Sequence, residues 1–466
     1  MSRKVTMRAS MSNQITHFGI MGGLYNRKIS GRSSMNRVTS RLEIPASAKE
    51  GYQYMKMHNL LSKNPLGSGG VGRMFHLRSG GSSLGSVKPT TDNLGDNLGD
   101  NLGSEVNDPI PSTTLVWKLK TGDSVMSSPT LSPDGATLFI GSNDKNVYAL
   151  NATDGSKLWS AATLAEVYSS PTLSLDGVTL FVLGALYVYA LKTADGSVAW
   201  KYLHARSPHT EDSKPTLSLD GDMLFVASRS TVDALKTADV VAGDIRLLWE
   251  YAEGTEDPDE SGVQSSPTLS PDGATLFIGA NDKNVYALKT ADGSVVWKYT
   301  TGGAVYSSPI LSADGSKLFI GSNDKNVYAL NTSDGSVVWK YATGNQVYSS
   351  PTLSPSGDTL FVGSWDNYVY ALKTSDGSVV WKEAVGALGT VSSPTLSPDG
   401  DTLFIGSNDK NVYALKTADG SVVWKYATGG AVYSKPALSP DGATLFVGSA
   451  DETVYALTTG IKPKPP

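Results

Sequence analysis

Few residues in this 466-residue chain have the types and spacing to do chemistry, and most of them stand in two short runs. The run LHARSPHTEDSK, residues 203–214, holds His204, His209, Glu211 and Asp212, all capable metal ligands, with Arg206 and Lys214 among them. Zinc sites use regular short spacings that bring ligands into a tetrahedron. Pro208 and the irregular intervals count against one here. The run YAEGTEDPDESG, residues 251–262, carries Glu253, Glu256, Asp257, Asp259 and Glu260. Such an acidic cluster is either an ordinary solvated loop or a dock for a basic peptide, the chain's own basic arm included. There is no cysteine, which excludes disulfides, thiolate catalysis and sulfur ligation of metals.

A third motif, GSGGVG at residues 67–72, spaces Gly67, Gly69 and Gly72 as a dinucleotide fingerprint does. That fingerprint works only between a strand and a helix, whose N-terminus receives the phosphate. NPL before it and RMFHLRSGG after it provide neither, so it reads as a linker.

The elements that would position these residues differ along the chain. Residues 1–88 contain 14 Lys and Arg against Glu43 and Glu50, a local charge of +12, whereas the whole chain carries −5. The remainder is therefore acidic, and it holds all nine Trp. Residues 1–88 read as a basic, mostly disordered arm, with a short helix at 48–61 whose start has Ser47 and Glu50 at capping-box spacing. The Ser-rich, acid-free stretch 1–42 also fits an organelle transit peptide, with a secreted or periplasmic location as the alternative. Residues 89–111, with DNLGDNLGDNLG, form a low-complexity linker. No apolar run approaches the roughly 20 residues of a membrane helix.

From residue 112 the sequence repeats. A Pro opens each unit at 129, 171, 215, 267, 309, 351, 394 and 436. One unit, VYSSPILSADGSKLFIGSNDKNVYALNTSDGSVVWKYATG (305–344), reads as four strands joined by Asp-Gly turns and an SNDKN hairpin. In that hairpin Asn and Asp are the expected left-handed residues. Such spacing is that of propeller blades. Seven opening prolines are followed by a Trp of the unit: Trp159, Trp200, Trp249, Trp297, Trp339, Trp381 and Trp424. The last unit has none, and Trp117 precedes the first. The expected fold is all-β: an eight-bladed propeller over 112–460, with the strand around Trp117 completing the last blade and removing the open sheet edges. Residues 461–466 are a Pro-rich tail.

The pattern Ala-x-x-x-x-Asp-Gly-x-x-x-Trp, as in ALKTADGSVVW (287–297 and 414–424) with GSNDKNVYAL overlapping its start, resembles the PQQ-like repeat. That resemblance implies the eight-bladed fold shared by quinoprotein alcohol dehydrogenases and by the non-catalytic assembly lipoprotein BamB. The enzymes bind PQQ with Ca²⁺, and many carry a disulfide of adjacent cysteines. This chain has no cysteine, no long inter-blade cap, and no acid that stands apart from the turn positions. A non-catalytic scaffold without cofactor is expected; the alternatives are a PQQ- and Ca²⁺-dependent dehydrogenase and a small-ligand or polysaccharide binder. The missing cysteine also departs from a lipoprotein, which needs one to acylate. The repeat Trp itself is expected to dock blades, each burying about 150–250 Å².

Function is expected where the repeat breaks, in blades 2 to 4. Their enlarged connections, together with LGALYV and the Arg229-bearing ASRSTV in place of the SNDKN turn, should emerge on one face and form a partner-binding rim. Trp365, in SWDNYVY, should be an exposed contact anchor on that face. Lys214 and Lys435 replace the Ser that precedes the opening Pro elsewhere. Beside a Tyr-lined channel mouth they could bind an anion; the plainer expectation is a pair of surface lysines on strand ends. The partner is expected to be a protein or peptide, the chain a monomer, and nucleic acid an improbable partner for so acidic a propeller.

Overall fold

The computed structural model describes residues 113–184, 186–203, 213–228, 231–238, 246–252 and 262–461. The chain divides into two compact units, 1–94 and 95–466, and every described residue lies in the second. The basic arm, the helix expected at 48–61 and the linker at 89–111 lie outside the described residues.

Thirty-two strands, β1 to β32 in chain order, form eight antiparallel sheets of four. The first blade shows the design. Its strands are β2 (Thr130–Leu131), β3 (Thr137–Ser142), β4 (Asn146–Asn151) and β5 (Lys157–Ala162), in that spatial order. The blade is a meander because its turns are short and made of turn residues. In SPDG the Ser132 hydroxyl donates to Asp134, whose Oδ1 accepts the Ala136 N–H at 3.0 Å. The register pairs Leu138 with Leu150 and Phe139 with Ala149. The middle strands are buried on both faces, so TLFIGS is a continuous apolar run rather than an alternating one.

Those two faces serve different interfaces. Leu138 and Ile140 pack with Phe446, Val454 and Ala456 of the eighth blade, whereas Phe139 packs with Leu180 and Val182 of the second. The core of the molecule is therefore eight layers between blades, not one centre. Closure follows the same geometry. The strand β1 (Leu115–Lys120) pairs with β32 (Thr453–Thr458) and sets Trp117 opposite Ala456. Within the first blade Trp159 stands opposite Ala149, and both pairings carry a bulge just before the Trp. A strand from the far end of the chain thus reproduces a pairing the other blades make internally.

The Trp residues are the joints. Each packs on the Phe of its own blade, with ring centroids 5.7 to 5.9 Å apart. Each indole Nε1–H donates to a backbone carbonyl of the next blade at 2.7 to 3.2 Å, from Trp117 to Ala152 round to Trp424 to Thr459. In six of the joints the indole face lies on the Gly of the next blade's Asp-Gly turn. At Gly335, φ is +72° and a Cβ would stand 2.5 Å from Trp297 Cε3. Glycine is required there twice, by backbone conformation and by the approach of the ring.

One expectation about the turns is corrected. In the SNDKN hairpin the left-handed residue is not Asn or Asp but the Lys that follows: Lys145, Lys283, Lys325 and Lys410, with Asn367 and Glu452 in the sixth and eighth blades. The Asp is occupied otherwise. Asp324 Oδ1 accepts the Asn326 N–H at 3.0 Å, and this local bond holds Lys325 at φ 72°.

Gly357 provides a control for the joint, since its φ is +75° but nothing lies within 4 Å of its Cβ position. Gly357→Ala should cost only the left-handed penalty of about 1–2 kcal/mol. Gly335→Ala should cost a further ~1–3 kcal/mol from the clash with Trp297. Denaturant unfolding of both variants measures the difference, and equal losses would show that the Trp contact does not constrain the turn.

Candidate functional site

The blade-to-blade connections and the second-to-third-strand hairpins meet on one face. Gly122, Gly302, Gly344 and Gly429, in four connections, donate their N–H groups to hairpin Asp144, Asp324, Asp366 and Asp451 at 2.6 to 2.8 Å. The same carboxylates accept a Tyr hydroxyl from the third strand. Six such pairs occur, from Tyr148–Asp144 to Tyr455–Asp451, at 2.5 to 2.6 Å. Asp144, Asp324, Asp366 and Asp451 therefore each tie a connection, a hairpin and a strand together. Burial first, and then Asp451, push the Tyr455 phenol up to about 12.

Blades 2 and 3 abandon this arrangement. Leu164 occupies the position of those connection glycines, and its N–H donates instead to the Tyr189 hydroxyl at 3.1 Å. Its side chain is 62% exposed, and Leu203, at the end of the outer strand of blade 2, is 61% exposed. Beside them the Lys201 ammonium sits 4.8 Å over the Tyr187 ring. In blade 3 the buried Asp233 replaces the third-strand Tyr. Burial and the Asp233 charge push the Tyr202 phenol of blade 2 up to about 12. Arg246 lays its guanidinium 3.9 Å over Trp200 and donates to the carbonyls of Lys236 and Ala238 at 2.7 and 2.9 Å. A cation thus takes part in the joint to blade 3, a role that the sequence analysis missed. The departures VDAL for VYAL and DIRLLW for DGSVVW were its visible signals.

Of the residues expected on the rim, His204, Arg206, His209, Glu211, Asp212, Arg229, Glu253, Glu256, Asp257, Asp259 and Glu260 lie outside the described residues. Trp365 is half-buried rather than projecting. Its ring packs 5.3 Å from Tyr348, which stacks on Tyr306 at 5.4 Å with 10° between planes. The three rings form one aromatic row across blades 5 and 6.

Lys214 and Lys435 are not on the outer rim. They belong to an inner circle formed by the residue before each opening Pro. Its backbone N–H groups donate to the Ser Oγ one blade on: Lys435 to Ser128 and Lys214 to Ser266 at 2.9 Å, and Ser308 to Ser350 at 2.9 Å. Such contacts between successive innermost strands require the small radius near the propeller axis. Two residues further on, Thr hydroxyls cap the carbonyls of the next blade's Pro, as Thr130 does for Pro171 at 2.8 Å. Both lysines keep solvent contact while protein surrounds them closely, as befits a narrow channel. Burial lowers the pKa of each, and the Lys214 charge lowers that of Lys435 further.

The donor set does not fit PQQ with Ca²⁺. Calcium takes six to eight oxygen ligands with several carboxylates. Among the described residues no three or more His, Asp or Glu gather into such a site. No helix among the described residues is long and apolar enough to cross a membrane.

The Tyr–Asp pairs make a pH prediction. A phenol raised from its ordinary 10.0 to about 12, as at Tyr455, adds stability that is complete below pH 10 and is lost between pH 10 and 12. Absorbance titration at 295 nm should show the wild type with late-ionising tyrosines, and Asp451→Asn should move one of them toward pH 10. An unchanged titration would remove Asp451 from control of Tyr455.

The comparisons agree with this geometry. A family model described as "Outer membrane protein assembly factor BamB" matches residues 106–260, 236–395 and 387–462. Among solved structures, BamB from Moraxella catarrhalis is 18% identical, with a TM-score of 0.60, covering 74% of this chain and 100% of that one. The computationally designed Ika8 protein is 13% identical, with a TM-score of 0.60, covering 74% and 99%. At these identities the likeness is one of fold. "Protein Rv3035" of Mycobacterium tuberculosis (strain ATCC 25618 / H37Rv) is 40% identical over 50 residues, which span 11% of this chain and only 12% of that protein. With three overlapping matches across the propeller and eight PQQ-like blades in a closed ring, the chain belongs to the BamB family of PQQ-repeat β-propellers.

Proposed function

We propose that this protein is a non-catalytic scaffold that holds a protein partner on the face carrying the blade connections, through blades 2 to 4. The observation that carries the reading is the pair Leu164 and Leu203, 62% and 61% exposed on that face. In the regular blades the matching positions hold Gly, as at Gly302 and Gly344, and the small Ala342 and Ala427. Large apolar side chains kept in water where the regular blades place Gly or Ala are what a contact surface requires, and Leu388, 64% exposed in the connection between blades 6 and 7, is a further one. The family supports the same reading, since it is that of an outer membrane protein assembly factor. The acidic run 253–260 selects for a basic partner by charge complementarity, and it would raise the association rate more than the final affinity.

The dehydrogenase alternative has the fold's wider kinship in its favour and, against it, the absence of a carboxylate cluster for Ca²⁺ among the described residues. Both readings are open to direct measurement. Affinity capture from the native cell with wild type, with Leu164→Ser/Leu203→Ser, and with the five acids of 253–260 neutralised should show the same specific partner lost from both variants. An identical partner set in all three would remove this face from consideration. Dye reduction by the protein with PQQ, Ca²⁺ and an alcohol or sugar would overturn the non-catalytic reading.

A further inference from the structure

The inner circle is regular except at two places, and there each Lys changes two things at once. In a regular blade the Ser before the opening Pro accepts, through Oγ, the N–H of its counterpart one blade back. Where Lys214 and Lys435 replace that Ser, the acceptor is gone, because an ammonium can only donate. The amides left behind are those of Ser170 and Ser393, and neither donates a hydrogen bond among the described residues. Two cations and two half-buried amides without a protein acceptor among the described residues therefore stand on one inner circle.

The two lysines also act on each other. They stand in blades 3 and 8, three blades apart around the ring, yet the Lys214 charge reaches Lys435. Both residues stand on the inner circle with exposed side chains, so each ammonium is free to turn toward the axis. Among the described groups acting on either ammonium, no carboxylate offsets the repulsion. Two like charges on one circle, with no described carboxylate acting on either, suit an anion.

We propose that the central channel binds a small oxyanion of the phosphate type, held between the Lys214 and Lys435 ammonium groups, with the Ser170 and Ser393 amides as further donors directly or through water. The ligand is either free phosphate or the phosphate group of a small monoester, since the recognising chemistry is the same for both.

The fold itself provides the test variant, because Ser is what six blades already place at this position. Lys214→Ser and Lys435→Ser restore the missing Oγ acceptors, so both proteins should fold at least as well as wild type. Calorimetry with inorganic phosphate on the full chain should show one site per chain, weakened about tenfold or more by each single substitution and abolished in the double variant. Raising the pH should weaken binding as the ammonium groups lose their protons. Glycerol 3-phosphate as a second probe distinguishes the sources: binding equal to phosphate indicates a monoester, and exclusion indicates the free ion, both with the site intact. Phosphate binding unchanged in a folded double variant, or no binding by wild type, overturns the proposal. These outcomes are independent of whether the outer face holds a partner.

Discussion

The fold depends on one contact made eight times: the indole of one blade laid on the next, with its N–H bonded to a carbonyl there. In the regular joints the seat is a glycine turn, and the residues that meet stand about 35 positions apart, as Trp297 and Thr332 do. No blade can bury its own faces, so each is stable only through its neighbours. An open row would end in an unoccupied joint and a bare strand edge. Trp117, carried on a strand from the beginning of the propeller, fills the eighth joint and pairs that edge.

This division of labour explains where the sequence is free to vary. The turn glycines, the Trp and the Phe beneath it are bound to the joint, and blades 4 to 8 repeat them with little change. The hairpins and connections on one face are bound more loosely, through the Asp that joins Gly and Tyr. In blades 2 and 3 that tie is lost and the residues released are apolar or charged: Leu164, Leu203, Lys201, Arg246. Arg246 shows how the joint survives such change. It stacks on Trp200 and satisfies local carbonyls, so the ring stays closed where the Asp-Gly turn has been replaced.

Much of the architecture was legible in the chain. Counting opening prolines against Trp residues led to eight blades and to Trp117 as the closing strand. The site was less legible. Trp365 reads as a free aromatic in SWDNYVY, but Tyr348 in the same blade gives it a partner. Lys325 reads as an ordinary surface residue, yet it takes the left-handed position because the adjacent Asp is spent on the Asn326 amide and the Tyr328 hydroxyl. Lys214 and Lys435 read as strand-end lysines, and they lie on the inner circle.

By itself the sequence determined the strand pattern, the turns, the blade count and the order of closure, because each follows from residues within one repeat or from comparing repeats. Tertiary structure alone decided which groups converge on the axis and which hydrogen bonds go unmade there. Residues before the opening Pro in successive blades are 42 to 52 positions apart, and only the curvature of the closed ring brings them into one circle. A serine replaced by lysine is a local change in the chain; that it leaves a neighbouring amide without an acceptor and sets two charges in one channel follows from the ring.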